Sequence, residues 1–356
     1  MIDKQDKIKL DGRIYHANNM GKFGLLCGQN NSWRNDIELF LKNWFDNTDY
    51  ISTRTSGSTG EPKEIRLSKK AMRNSARMTN AFFGLDASKT ALLCLPAEYI
   101  AGKMMLVRAI VGGFNLITTE PKANPFQNLD VEIDFTAITP YQLTNSAHTL
   151  KTARVKNIIV GGGHVSEKLE ALASEIPAKM YETYGMTETA SHIALRCFNG
   201  TGKAGCFTVL DGVTIRQDAR GCLVVHAPHI VDYELVTNDI VQLIAYNSFR
   251  WLGRADNVIN SASVKIFPEE VEKKLENLIL HRFIIASLYD EVLENKLILL
   301  IESAEADCEF EKELRKQMSA CLKKYEIPKE IHFIPRFIYS ASDKVLRKET
   351  IKLLKP

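Results

Sequence analysis

A chain of 356 residues has room for two or three domains, and its 45% hydrophobic and 25% charged content is that of an ordinary globular protein. A net charge of +3 without any run of like charges makes no electrostatic case for nucleic acid, and the longest apolar runs, 104–111 and 297–301, are too short to cross a bilayer. The charged start does not read as a secretory signal, and the 7 cysteines, none in a Cys-x-x-Cys pair, read as reduced thiols of a cytoplasmic protein and not as a disulfide or zinc framework.

Along the chain, residues 37–45 carry the spacing of a short amphipathic helix. Residues 55–63 then read Thr-Ser-Gly-Ser-Thr-Gly-Glu-Pro-Lys. The hydroxyls of Thr55, Ser56, Ser58 and Thr59 can donate hydrogen bonds. Gly57 and Gly60 let main-chain N–H groups turn toward an anion, and Lys63 adds a mobile cation. A Ser/Gly linker has a similar composition, but this stretch is compact and leads into a helix from Ser68, which favours a phosphate loop. It lacks the Gly-Lys-Ser/Thr ending and the spacing of the usual P-loop.

From 90 to 160, strand-like runs at 91–95, 114–118, 135–138 and 157–160 alternate with helical patterns at 103–111 and 140–150. That alternation predicts α/β layering on a largely parallel sheet. Arg108 falls inside the apolar helix, where an unpaired charge is costly, so it requires an anion: a protein carboxylate or a ligand. The strand at 157–160 opens into Gly161, Gly162 and Gly163, which suits either a base lying flat on backbone or a plain tight turn. Ser166 replaces the third glycine of a dinucleotide fingerprint.

Next comes Tyr181-Glu-Thr-Tyr184-Gly185-Met186-Thr187-Glu188. Tyr184 offers a ring to stack on a base, and Glu188 a hard oxygen suited to Mg²⁺ beside phosphates. Glu182 and Glu188 could instead form an acid/base pair, or the segment could be a solvated helix start with Thr and Glu as caps. The region 205–251 is β-rich, and within it Asp239 follows Thr237 and Asn238 at a turn fit for ribose hydroxyls. Arg254 and Asp256 mark a change of character and a domain boundary, giving units 1–253 and 254–356. Beyond it are predicted a helix at 268–277, strands at 283–288 and 296–302, a helix at 308–325 and a basic tail containing Lys344.

Taken in order, these motifs resemble the adenylate-forming family of acyl-CoA synthetases, firefly luciferases and peptide-synthetase adenylation domains. The resemblance runs from Thr55 to Arg347 and includes Pro268-Glu-Glu-Val-Glu272. It implies a large N-terminal adenylating α/β domain, with mainly parallel sheets and a β-rich section, and a small mobile α+β C-terminal domain. It also implies ATP, Mg²⁺ and coenzyme A as reactants: a carboxylate attacks the α-phosphate, pyrophosphate leaves, and a thiol then displaces AMP. By this resemblance the 55–63 loop holds the β- and γ-phosphates, and Thr187 and Glu188 hold the α-phosphate and Mg²⁺. Tyr184 with Gly161–163 frames adenine, Asp239 and Arg254 hold ribose, Lys344 serves the first half-reaction, and Asp256 is the hinge.

The chain also departs from the family. The segment before the phosphate loop is short, Ser261-Ala-Ser263 replaces the usual Ser-Gly-Gly, Asp343 replaces the glycine before the lysine, and Asn238 another glycine. The first of these implies a shortened N-terminal domain; the serine and alanine side chains would narrow a pantetheine passage. Residues 96–108 correspond to the acyl pocket, with Tyr99 as a gate. The Gly102-Lys103 and Arg108 spacing resembles the o-succinylbenzoate–CoA ligase branch of menaquinone synthesis, where a second substrate carboxylate must be held. A bidentate Arg108, assisted by Lys103, suits that task. Competing readings are an aryl- or amino-acid-activating enzyme that loads a carrier protein, and a non-catalytic nucleotide-binding regulator. Oligomeric state is not legible.

Overall fold

The computed structural model describes residues 6–16, 32–54, 64–262, 264–305, 308–340 and 345–354, so the 55–63 loop, Ser263 and Lys344 lie outside it. In chain order, β1 (Lys7–Leu10) and β2 (Arg13–His16) are followed by α1 (Ser32–Trp44) and the antiparallel pair β3 (Tyr50–Arg54) and β4 (Glu64–Ser68). Then comes α2 (Lys69–Phe83), started by the Ser68 hydroxyl, which accepts from the Ala71 N–H, and stopped by Gly84 at φ 62.

Strands that are apolar on both faces need helices on both sides, and the next segment supplies them. β5 (Thr90–Leu93), α3 (Ile100–Gly112), β6 (Asn115–Thr118), β7 (Ile133–Ile138), α4 (Pro140–Leu150), β8 (Val155–Val160), α5 (Glu167–Ala173) and β9 (Lys179–Gly185) follow in turn. α4 begins with a reciprocal cap between Thr139 and Gln142 and with Pro140 in its first turn. β1, β6, β5, β7, β8 and β9 are neighbours in that order and run parallel.

At β10 (His192–Cys197) the sheet turns antiparallel. It continues through β11 (Phe207–Val209), β15 (Ser248–Arg254), β14 (Leu235–Ala245), β13 (Cys222–His226) and β12 (Thr214–Gln217), giving 13 strands in all. This is the α/β fold with a β-rich section that the alternation predicts.

The C-terminal unit comprises the β16 (Ile259–Ser261) and β17 (Val264–Ile266) hairpin, α6 (Pro268–Leu275), β18 (Phe283–Asp290), β19 (Glu294–Glu302), α7 (Cys308–Cys321), β20 (Glu330–Ile334) and α8 (Arg347–Ile351). The expected basic tail is instead folded: β20 pairs parallel with β19, and Ile331, Phe333 and Ile334 pack on the unit's core. Net positive charge masked the apolar content of Glu-Ile-His-Phe-Ile. The apolar clusters of this unit contain no residue before Ile259, and those of the large sheet none after Phe249 and the partly buried Trp251. Among the described residues no helix is long and apolar enough to cross a membrane.

Candidate active site

Because β5, β7, β8 and β9 are parallel, the chain leaves all four at one edge of the sheet, beside the point where β10 reverses direction. Such an edge is where open α/β sheets bind ligands. β8 leads into Gly161–163 and β9 into Gly185, Met186, Thr187 and Glu188. Two of these glycines are required by space. A Cβ on Gly161 would lie 2.5 Å from Thr183 Oγ1, and one on Gly185 2.5 Å from the Ser191 carbonyl. Gly162 has φ +82, so the three-glycine run also makes the tight turn.

One polar cluster unites three motifs that the sequence keeps far apart. The Tyr184 hydroxyl donates to Asp239 Oδ2 at 2.7 Å, Trp251 Nε1 donates to Oδ1 at 3.3 Å, and Arg254 approaches Oδ1 at 3.4 Å. Asp239 and Arg254 face each other directly in the β14–β15 register. The Tyr184 ring packs against Phe249 at 5.1 Å and Phe207 at 5.8 Å. Burial, then the Asp239 charge, pushes the phenol ionisation up, so Tyr184 stays a hydrogen-bond donor. Asp256 lies 3.6 Å from Arg254 and accepts from Asn238 at 3.4 Å.

Thr187 and Glu188 stand in a 3₁₀ turn directly after β9. Glu188 is exposed, and with Arg66, Lys70, His229 and Asp232 it lines a cavity of about 430 Å³ between β4, the start of α2 and residues 228–233. Among the described residues no group of three or more His, Cys, Asp or Glu side chains could hold a metal ion, so a Mg²⁺ held by Glu188 would take its remaining oxygens from phosphates and water.

Arg108 is 2% exposed on α3. Its NH2 donates to Ser191 Oγ at 2.6 Å, its NH1 meets the Met105 sulfur at 3.5 Å, and it lies 5.9 Å from the Phe135 ring centroid. Nε has no partner, and among the described residues no carboxylate pairs with the guanidinium. Burial pushes its pKa down to about 9, so it remains a cation at neutral pH. His192 lies next to it, with Nδ1 3.3 Å from Ser191 Oγ and Nε2 3.2 Å from Thr79 Oγ1. Burial and then repulsion from Arg108 drive the imidazole well below its ordinary pKa, so it is neutral. Among the described residues, Arg108 is therefore a buried positive charge with no counter-charge beside it. The Ser191 carbonyl lies beside Gly185 at the end of β9, and Ala190, at φ 61, makes the turn before Ser191.

Other expectations fare differently. Lys103 does not join Arg108; its Nζ donates to the Ser52 carbonyl at 3.2 Å. Tyr99 is 51% exposed at the start of α3, at the rim. The acid/base pairing of Glu182 with Glu188 is excluded because Glu182 is buried and accepts from Arg196 Nε at 2.8 Å and from the Val165 N–H at 3.0 Å. Arg196 also binds Glu170 at 2.7 Å. Sequence reasoning missed Ser191, His192, Thr79 and Trp251. Ser191 and His192 follow the Thr187-Glu188 pair after two intervening residues, which was the one available signal, whereas Thr79 is brought in only by the packing of α2.

Residues 46–228 match the family model described as AMP-binding enzyme. This chain belongs to that family. An acyl-CoA synthetase (AMP-forming)/AMP-acid ligase II-like protein from Dyadobacter fermentans is 34% identical, with 92% of this chain and 95% of that one aligned at a TM-score of 0.61. The 2-succinylbenzoate–CoA ligase of Bacillus cytotoxicus is 25% identical over 336 residues, 84% of this chain and 69% of the relative. The Bacillus subtilis o-succinylbenzoate CoA synthetase, solved with its acyl-adenylate OSB-AMP, shares the fold at a TM-score of 0.71 and 20% identity, over 86% of this chain and 69% of that one.

Proposed function

We propose that the protein is an AMP-forming acid–thiol ligase that activates o-succinylbenzoate as its adenylate and passes the acyl group to coenzyme A. Arg108 carries this reading. A desolvated cation with no carboxylate beside it among the described residues, set among Met105, Phe135 and Ser191, is matched by a substrate that brings its own carboxylate on an aromatic ring. A fatty acid would leave that charge unpaired.

In the first half-reaction, an oxygen of the succinyl carboxylate attacks the α-phosphorus of ATP. The bond to the bridging oxygen breaks, and pyrophosphate leaves with the electron pair. Charge builds on phosphate oxygens, so positioned cations and N–H dipoles supply most of the acceleration. Thr55, Ser56, Gly57, Ser58, Thr59, Gly60 and Lys63 would hold the outer phosphates, and Thr187 and Glu188 the α-phosphate with Mg²⁺. Asp239, already oriented by Tyr184, Trp251 and Arg254, would face the ribose, and Gly161–163 the adenine. Lys344 would reach the carboxylate and the bridging oxygen. In the second half-reaction the coenzyme A thiolate attacks the acyl carbon and AMP departs, after the 254–356 unit has turned about Asp256.

The test is a panel of carboxylic acids scored for pyrophosphate release, with products identified by mass after adding either coenzyme A or a phosphopantetheinyl carrier. Release with o-succinylbenzoate and a coenzyme A thioester is the expected result. Release with monocarboxylic acids alone would defeat the substrate assignment, and loading of the carrier alone would defeat the acceptor.

A further inference from the structure

His192 is a buried imidazole that the roles above leave without a task. The backbone fixes its place. β10 pairs with β9 at His192 and Gly185, and the register slips between His192 and Ala194, a bulge of the kind that re-aims a side chain. A Cβ on Gly185 would lie 2.5 Å from the His192 Cα, so glycine is what lets the two strands close there. The ring then reaches Thr79 of α2 with one nitrogen and Ser191 with the other.

Counting protons gives each of these hydrogen bonds a direction. The Thr79 hydroxyl donates to the Ser75 carbonyl at 3.3 Å, so its one proton is spent. Thr79 Oγ1 then offers His192 Nε2 only lone pairs, at 3.2 Å, and Nε2 must carry the ring proton. A neutral imidazole has a single N–H, which leaves Nδ1 bare to accept from the Ser191 hydroxyl at 3.3 Å. With its proton committed to Nδ1, Ser191 Oγ turns lone pairs toward Arg108, whose NH2 donates at 2.6 Å. The chain from Arg108 through Ser191, His192 and Thr79 to Ser75 therefore runs one way. Its far end is closed, since Thr79 and Ser75 are buried. The other polar contact of the guanidinium is the Met105 sulfur at 3.5 Å, a weak acceptor, so Ser191 is what holds its plane.

We propose that His192 is a positioning residue: as the Nε2–H tautomer held by Thr79, it orients Ser191 and so fixes the guanidinium of Arg108 before the acid arrives. The donors left over, the unpartnered Nε among them, are then aimed in advance, which lowers the ordering cost of binding a second carboxylate. The inference rests on the role of Arg108 in the function proposed above, while the order of the chain behind Arg108 exists without substrate.

Two measurements test it. Nitrogen-15 NMR of the ligand-free protein at neutral pH reads the tautomer, with the His192 signal among the 8 histidines assigned by its loss in His192→Asn. A protonated Nε2 and a bare Nδ1 are expected; the opposite tautomer, or an imidazolium, would overturn the proposal. Pyrophosphate release then gives the preference for o-succinylbenzoate over 4-oxo-4-phenylbutanoate, as a ratio of kcat/KM. His192→Phe, which removes the acceptor, should lower that ratio about three- to tenfold through KM for the dicarboxylate, with KM for ATP within about twofold of wild type. His192→Asn, whose Oδ1 can accept in place of Nδ1, should recover most of the preference. An unchanged ratio in His192→Phe, or no recovery in His192→Asn, would overturn the proposal. If His192→Phe fails to fold, Thr79→Val decides: it leaves Nε2–H without an acceptor and should shift the tautomer and lower the ratio together, and a wild-type tautomer and ratio would overturn the proposal. A wild type with no preference for the dicarboxylate would bring down the proposed function and this inference with it, whereas a wild type that prefers the dicarboxylate but carries the opposite tautomer overturns this inference alone.

Discussion

Replacing Arg108 by methionine tests the acid assignment most sharply. The side chain is 2% exposed, and its partners are one hydroxyl at 2.6 Å, one thioether sulfur and one aromatic face. Methionine keeps most of the volume, so the variant removes the charge without opening a large cavity. Taking away one partner of a desolvated, hydrogen-bonded ion pair costs about 3–5 kcal/mol. At about 1.36 kcal/mol per decade, kcat/KM for o-succinylbenzoate should fall by roughly two to three and a half decades. KM for ATP should stay within about threefold, because the Asp239 cluster proposed to face the ribose is built from other side chains. The comparison acid is 4-oxo-4-phenylbutanoate, which has the same succinyl arm and no ring carboxylate. Wild type should strongly prefer the dicarboxylate, and the variant should lose that preference while handling the monoacid as well as wild type does. Thermal unfolding adds an independent readout: losing a buried cation that has no carboxylate beside it among the described residues should leave the midpoint unchanged or raised. Pyrophosphate release gives the kinetics. An equal fall for both acids, or a large loss of stability, would mean that Arg108 is structural and would refute the argument.

Tyr184→Phe removes the 2.7 Å bond to Asp239 and should raise KM for ATP about tenfold, a charged hydrogen bond being worth roughly 1.5–3 kcal/mol; an unchanged KM would take Asp239 out of the nucleotide site. Glu182→Gln weakens the buried grip on Arg196 and should cost about 1.5–3 kcal/mol in urea unfolding, with kcat affected far less than stability. Burial raises the carboxyls of both Glu182 and Glu170, but hydrogen bonds and charge from His164 and Arg196 on the first, and from Lys203 and Arg196 on the second, hold each below its usual range. Their stabilisation is therefore complete above about pH 4.3 and is lost as pH falls through the depressed values, so the wild-type urea midpoint should drop in acid and that of Glu182→Gln should drop less. Ala262 sits at φ 47, a conformation that costs an L-residue about 1 kcal/mol, so Ala262→Gly should be neutral or slightly stabilising and should speed the thioester half-reaction; a slower second step would show that the alanine methyl does not narrow the thiol's approach.

The elements whose boundaries depend on local signals were legible in the sequence. The helix over 140–150, the helix beginning at Ser68 and the apolar strands between helical patterns read from the sequence, and the structure shows the Thr139–Gln142 cap and the Gly84 stop that set their bounds. β20 was not legible, because its pairing with β19 is parallel and distant in the chain, and a basic composition hid its apolar content. The candidate site divides in the same way. The resemblance of the motifs in their order to the adenylate-forming family brought out the Tyr184 to Glu188 run, Asp239 and Arg254 as one set, since each residue's chemistry taken alone left a plain structural role open. Only the tertiary structure decided what Arg108 faces, because a buried charge is interpreted by what surrounds it. Residues from α2, α3, β7 and the turn into β10 meet there, and among the described residues they supply a hydroxyl, a sulfur, a ring and a neutral imidazole but no carboxylate. Packing likewise made Glu182 structural and left Glu188 facing a cavity, although both are glutamates six positions apart in one short segment.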